Sequence, residues 1–375
     1  MKTIIVQPTI PTYRVGFFSR LAARFGPEFA VYGSIGDMGV LSQSPSSPTW
    51  ERRLGKSRQL LPGLLWQQGV LSIPISRGDV VVVSGAPRYL SNIALLLKAR
   101  LRGAKTIWWG HFWSSTSRAW RASIRLILMK LADGILFYTD KEVEGYFATK
   151  PSGRQLVSAI NNGLETEEIV RLRAPYAISS RQRDLLFIGR ITPKAELGFL
   201  LEALALSVCA NIQLDVIGSG DSEDQLRQRC IALGIANRVV WHGGITEEKR
   251  IADVANSCKA FVYPGGVGLS LIHGLAYGLP AIVHDNWREH MPEIAALKND
   301  ENGTTFRDRD VNSLGMAIAS LLTDAARLDA MSTASIDTTA QSFNAVDMSE
   351  RFYAMVEAVR NEGKHFTNSS HQVTS

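Results

Sequence analysis

The chain is short of cysteine. Its 375 residues hold three, Cys209, Cys230 and Cys258, and none has metal or redox spacing. An odd number argues against a disulfide framework and for a reducing compartment. Long apolar runs are also missing: no window reaches about 18 uninterrupted apolar residues, so no transmembrane helix is expected. Residues 1–6 run straight into a strand and lack the charged region, apolar core and cleavage site of a signal peptide. These absences predict a cytoplasmic protein. No His/Cys/Asp cluster is spaced for a metal, and none is expected. Asp308-Arg309-Asp310 has an Asp-x-Asp look, but it sits in a polar turn after Gly303, and a solvated loop is the expectation. No Gly-x-Gly-x-x-Gly follows the first strand, which removes the nicotinamide fingerprint. Acid is scarce in one half only. Residues 1–165 hold 21 Lys+Arg against 9 Asp+Glu, a net of +12, and residues 166–375 hold 20 against 26, a net of −6. The basic half suits an anionic partner, or it serves solubility alone.

What is present is alternation. Strands are expected over 3–6, 29–32, 79–83, 105–108 and 134–138, with helices over 17–25, 92–101 and 118–132 between them. Residues 79–83, Asp-Val-Val-Val-Val, read as a buried parallel strand. Residues 41–68 are rich in Ser, Pro, Gly and Arg and predict loops with a short hairpin. The pattern restarts with strands over 184–188, 213–217, 239–241, 260–262 and 281–283 and helices over 197–206, 222–233, 247–255 and 269–277. Strands spaced by helices mean parallel sheets built from right-handed βαβ units. Two runs, parted by a polar segment at 166–183, predict two doubly wound domains. The boundaries are 1–165 and 166–345, then a C-terminal helix over 346–363 and a disordered tail over 364–375. Ligands of such sheets sit at the carboxyl ends of the strands, hence in a cleft between domains.

The most telling stretch is 264–280. A strand ends, a glycine loop follows (Gly265-Gly266-Val267-Gly268), and a helix opens at Leu269 and stops before Pro280. Backbone N–H groups at a helix N-terminus suit a phosphate. Upstream, Gly189-Arg190 with Lys194 closes another strand, and two cations there can neutralise a diphosphate. Ile217-Gly218-Ser219-Gly220 closes a third.

In order and spacing these pieces resemble the nucleotide-sugar-binding domain of glycosyltransferase family 4, of GT-B architecture. The likeness covers about residues 160–320. It includes Asn161-Asn162-Gly163-Leu164-Glu165, similar to an interdomain turn, Val240-Trp241-His242-Gly243, similar to the strand–Gly element of the base pocket, and Glu301-Asn302-Gly303. The first half matches in architecture only. The resemblance implies an α/β protein of two Rossmann-like domains facing across a cleft, with the C-terminal helix packing back toward the N-terminal domain. It implies a hexosyltransferase that moves a sugar from a UDP- or GDP-sugar with retention and without a metal or other cofactor. Arg190 and Lys194 would hold the diphosphate and offset the leaving charge. Gly189, Gly218 and Gly243 would line the donor, and the backbone of Gly266, Val267, Gly268 and Leu269 would meet its sugar and phosphate.

One departure stands out. The family's two glutamates, eight positions apart, correspond to Gly265 and His273. His273 can meet the ribose diol but cannot chelate it as a carboxylate does. Either a variant donor contact operates or catalysis is lost. Glu293, in a Met-Pro-Glu-Ile turn, is a candidate replacement carboxylate or else a helix-start acid. In the first half, His111 resembles a histidine placed near donor sugar and acceptor, with an orienting or proton-partner role. Gly16 falls at the family's glycine-loop position, and Arg14 and Arg88 are acceptor-site candidates. The helix at 118–132 carries Arg118, Arg121, Arg125 and Lys130 beside Trp120, Ile124 and Ile127. It reads as a basic membrane-surface helix, or as an ordinary surface helix. With Arg52, Arg53, Lys56 and Arg58 it would bring the protein to the inner face of the cell membrane. The expected partners are a nucleotide-sugar donor and a lipid-linked or oligosaccharide acceptor of bacterial surface polysaccharide assembly, and not nucleic acid. The rivals are an inactive sugar-nucleotide-binding scaffold and a nucleotide-sugar epimerase of the same architecture.

Overall fold

The computed structural model describes residues 1–34, 48–112, 119–149 and 155–361, without the side chains of 119–122. The chain forms two compact units: residues 1–161 with 346–375, and residues 162–345. The first boundary thus falls at Asn161, four residues before the expected one, and the last helix belongs to the first unit.

The first unit runs β1 (Thr3–Thr9), α1 (Val15–Phe25), β2 (Phe29–Ser34), β3 (Glu51–Arg53), β4 (Ser57–Leu61), β5 (Leu64–Gln67), β6 (Val80–Ser84), α2 (Leu90–Leu101), β7 (Lys105–Trp109), α3 (Ala119–Met129), β8 (Gly134–Phe137), α4 (Asp140–Ala148) and β9 (Leu156–Ala159). Seven of these strands form one parallel sheet in the order β3-β2-β1-β6-β7-β8-β9, and β4 and β5 form a separate antiparallel hairpin. Val80 to Val83 are fully buried, as a β-branched run covered on both faces must be. The C-terminal α12 (Ala345–Arg360) joins this core through Met348, Phe352, Met355, Val356 and Val359. A Cβ at Gly134 would lie 2.4 Å from Met355 Cε, so β8 needs glycine where α12 crosses it.

The second unit runs α5 (Glu167–Leu172), β10 (Arg183–Ile188), α6 (Leu197–Leu204), β11 (Leu214–Ile217), α7 (Glu223–Ala232), β12 (Val239–Gly243), α8 (Glu248–Ala255), β13 (Cys258–Tyr263), α9 (Leu269–Ala276), β14 (Ala281–His284), β15 (Gly303–Phe306), α10 (Val311–Leu322) and α11 (Ala325–Gln341). Its parallel sheet has the order β12-β11-β10-β13-β14-β15. The polar segment at 166–183 is not a bare linker: it carries α5. The three cysteines are buried and unbridged.

Strand order fixes where ligands can bind. In each sheet the chain winds one way, returns to the middle, and winds the other way. The reversal falls between β1 and β6 in the first unit and between β10 and β13 in the second. The loops after those strands diverge and leave a crevice at the carboxyl edge. Arg14, Gly16 and Arg88 follow β1 and β6. Arg190, Lys194 and residues 265–269 follow β10 and β13.

Candidate functional site

At the second unit's crevice the backbones touch directly. A Cβ at Gly265 would lie 2.1 Å from the Lys194 carbonyl oxygen and 2.8 Å from the Ala195 carbonyl carbon. The Gly266 N–H donates to that Lys194 oxygen at 3.3 Å. A Cβ at Gly218 would lie 1.9 Å from the Gly189 oxygen, and one at Gly220 2.1 Å from the Ile191 oxygen. These glycines exist because backbone packs on backbone, and only glycine leaves room. The interlock delivers Arg190 and Lys194 to the crevice rim. Both are exposed, and among the described residues neither side chain has a hydrogen-bond or ion-pair partner. Gly243 takes φ +73° where β12 ends, and its carbonyl accepts from the Gly218 N–H at 2.8 Å.

The glycine loop is tied from behind. His290, buried, accepts the Val267 N–H on Nδ1 at 3.1 Å and donates from Nε2 to the His284 carbonyl at 2.9 Å. The two imidazoles stack at 3.8 Å. Burial, then the neighbouring His284, push the His290 pKa down to about 4, so the ring is neutral and its lone pair stays available. The loop's Gly266 and Val267 amides therefore point inward, which corrects the expectation that they face a ligand. The amides that remain are those of Gly268, Leu269 and Ser270, opening α9, where the helix dipole is positive. Among the described residues they have no backbone or side-chain acceptor. Glu293 approaches the same turn. It is buried, it accepts from Asn162 Nδ2, and its Oε2 lies 3.6 Å from where a Gly268 Cβ would be.

His273, one turn into α9, does not stand alone. Its Nε2 lies 2.8 Å from Glu248 Oε1, and Tyr277 donates to the same oxygen at 2.5 Å. Burial raises the Glu248 pKa, but the hydrogen bonds and charge from His273 and the Tyr277 bond outweigh it, and the net shift is downward. A carboxylate is thus present beside position 273, supplied by the first residue of α8. Facing an ionised Glu248, His273 donates from Nε2, which leaves Nδ1 as the ring nitrogen turned to other partners. Asp308-Arg309-Asp310 is structural: Asp310 caps α10 by accepting the Ser313 N–H, and Arg309 pairs with Glu289 at 3.0 Å. Among the described residues no group of three His, Cys, Asp or Glu can hold a metal ion.

The first unit gathers a second set of residues. His111 is half-buried, with Nδ1 3.8 Å from Glu142 Oε1, and its ring stacks on Tyr138 at 4.2 Å. Glu142 is fully buried and accepts the N–H groups of Phe112, Tyr138 and Thr139. Arg14 is buried rather than exposed. Its guanidinium lies 4.8 Å from the Trp109 ring centre and 5.6 Å from that of Tyr138. Tyr138 therefore brings His111 and Arg14 together, while Arg88 is exposed and rests near the Tyr89 ring. Gly16 sits in the first turn of α1. Arg125 of α3 faces inward. It is buried and donates to the Phe112 carbonyl at 3.0 Å, and Ile127 is 63% exposed. Trp113, Arg118 and the tail at 364–375 lie outside the described residues, as do the side chains of Trp120 and Arg121. Sequence reasoning missed Glu142, Glu248, His290 and Asn162 as partners. Only Glu142 left a local signal, the Thr139-x-x-Glu142 capping box.

The family described as glycosyl transferases group 1 matches residues 168–338. An uncharacterized glycosyltransferase of Methanocaldococcus jannaschii is 25% identical over 165 residues, 43% of this chain and 41% of that protein. A GDP-mannose-dependent alpha-(1-6)-phosphatidylinositol monomannoside mannosyltransferase of Mycobacterium tuberculosis is 24% identical over 264 residues, 64% of this chain and 67% of that protein. The crystal structure of Anabaena HepE in complex with UDP has a TM-score of 0.66 at 13% identity, covering 95% of this chain and 100% of that one. The fold is GT-B, and residues 168–338 are similar to the glycosyl transferases group 1 family.

Proposed function

We propose that this protein is a glycosyltransferase that moves a hexose from a nucleotide-diphosphate sugar to a lipid-linked saccharide, with retention at the anomeric carbon and without a metal ion. The observation that carries the donor half is the unpartnered pair Arg190 and Lys194 at the crevice rim, beside the opening of α9. The diphosphate lies between the two cations and the Gly268 and Leu269 amides. As the glycosidic bond to the donor phosphate breaks, charge accumulates on the leaving nucleotide, and fixed cations and N–H dipoles offset it. Most of the remaining acceleration is positioning.

The replaced glutamates do not leave the site without carboxylates. Glu293, with Asn162 bonded to one oxygen, reaches the sugar end of the loop. His273 meets the ribose with Nδ1 as acceptor while Glu248 holds its Nε2–H. These two placements support a working variant over an inactive scaffold. In the first unit, His111, braced by Glu142 and Tyr138, orients the acceptor hydroxyl, and Arg88 is the exposed cation for an anionic acceptor. The mannosyltransferase relative acts on a phosphatidylinositol mannoside, which supports a lipid-borne acceptor at a membrane surface. The relatives do not agree on the base: one is GDP-mannose-dependent, and another structure holds UDP.

The test is a thermal-shift screen against UDP, GDP and their sugars, followed by turnover with and without chelator. A true donor raises the melting temperature by mass action. Strict dependence on Mg²⁺ or Mn²⁺ refutes the metal-free mechanism, and binding without turnover on any acceptor favours the scaffold.

A further inference from the structure

The β4–β5 hairpin belongs to neither site, and its construction is unusual. Its turn is Pro62-Gly63, and Gly63 takes φ +80°, as position i+2 of a type II turn demands. Its base is firmly held. Gln67 is fully buried; its side chain donates to the Pro8 carbonyl at 3.1 Å and to Ser34 Oγ at 2.9 Å, and its N–H donates to Ser91 Oγ at 3.2 Å. The Leu65 N–H donates to the Arg88 carbonyl at 2.7 Å, which ties the hairpin to the turn after β6, beside the acceptor candidates.

The far end is the opposite. Leu60 and Leu61 are 53% and 60% exposed, and Pro62 and Gly63 are exposed beside them. A water-facing hairpin carries polar residues at its tip. This one carries two leucines and a proline on a fixed stalk. Arg52 and Arg53 on β3, Lys56 before β4 and Arg58 on β4 are all exposed, and residues 52–78 contain no Asp or Glu. With the Gln68 amide oriented so that its oxygen faces Arg58, that oxygen accepts from Arg58 Nε at 2.7 Å.

We propose that this hairpin docks the protein on an anionic phospholipid bilayer. Leu60, Leu61 and Pro62 enter the headgroup–acyl boundary, and the four cations meet lipid phosphates. The inference deepens the membrane-surface part of the proposed function and rests on it. Charge complementarity picks the occupant: a basic stretch leading into a hairpin with an apolar tip matches an anionic interface, whose surface potential draws cations while its interior takes leucine.

The experiment is flotation of the full chain with phosphatidylcholine vesicles, with and without 30% phosphatidylglycerol as a chosen mole fraction of roughly plasma-membrane-like charge. Wild type is expected to float with the anionic vesicles only, and to lose most of that binding in high salt. L60S/L61S should bind them about 100-fold more weakly, roughly tenfold per leucine. R52Q/R53Q/K56Q/R58Q should lose the anionic preference, about fivefold per cation. Both variants should keep the wild-type nucleotide-induced thermal shift, which controls for folding. The proposal is overturned if wild type ignores anionic vesicles, or if either variant floats like wild type. It is also overturned if L60S/L61S only converts a dimer to a monomer in light scattering, which would assign the tip to a second copy. Loss of the nucleotide shift in wild type with vesicle binding intact would instead count against the transferase reading.

Discussion

Restoring a glutamate at position 265 should damage this protein rather than improve it. The built Cβ at Gly265 lies 2.1 Å from the Lys194 oxygen, 2.8 Å from the Ala195 carbonyl carbon and 3.0 Å from the Ala195 oxygen. All three are backbone atoms, so no side chain can swing away. Ala195 is fully buried, and the segment it anchors cannot retreat outward without opening the core under α6. Relieving a 2.1 Å contact requires a shift of about 1 Å, and such overpacking typically costs about 1–3 kcal/mol. For a unit of this size that lowers the melting temperature by roughly 2–12 °C. The same shift moves Lys194, so donor affinity should fall along with stability. Gly265→Ala carries most of the clash without adding charge and should behave like Gly265→Glu. Differential scanning fluorimetry with and without UDP or GDP measures both effects. A Gly265→Glu variant with wild-type melting and tighter nucleotide binding would refute the reasoning.

Other consequences are sharp enough to measure. The folded His290 pKa of about 4 lies below the usual 6.5, so between those values the unfolded chain binds a proton that the folded one does not. Stability should therefore fall as pH drops through 6.5 toward 4, by on the order of 3 kcal/mol in all. His290→Phe should flatten that slope while costing about 1–3 kcal/mol at neutral pH, because the Val267 N–H loses its acceptor; an unchanged slope would argue against a neutral His290. Glu248→Ala should raise KM for the donor more than it lowers kcat, since it acts on binding through His273, and equal effects on both would contradict that placement. Asp310→Ala should cost about 1 kcal/mol as a lost helix cap with turnover unaffected, whereas a metal-linked loss of activity would overturn its structural assignment.

The sheets were legible because short apolar runs such as 80–83 and 281–283 suit buried strands. The glycine loops were legible because glycine clusters at strand ends have a backbone meaning. What escaped had weak contrast. Helix α11 is rich in Ala, Ser and Thr, α10 mixes Asn, Ser and Gly with its apolar residues, and β15 is four residues long. Helix α4 was missed despite the capping box that Thr139 and Glu142 announce. The partners of the site escaped for a different reason. Glu248 and His290 lie 25 and 23 residues from the groups they hold, and Asn162 lies 131 residues from Glu293. No local pattern encodes such pairs; the topology creates them. The inward turn of Arg125 is similar, since its acceptor belongs to the loop after β7 and not to its own helix.

The central claim is that Arg190 and Lys194 bind the diphosphate of the donor. Isothermal titration of wild type and of R190A/K194A with a nucleoside and its diphosphate, uridine against UDP and guanosine against GDP, tests it most directly. Wild type should prefer the diphosphate strongly, and the folded double variant should bind nucleoside and diphosphate nearly alike. A double variant that keeps the full wild-type preference would contradict it.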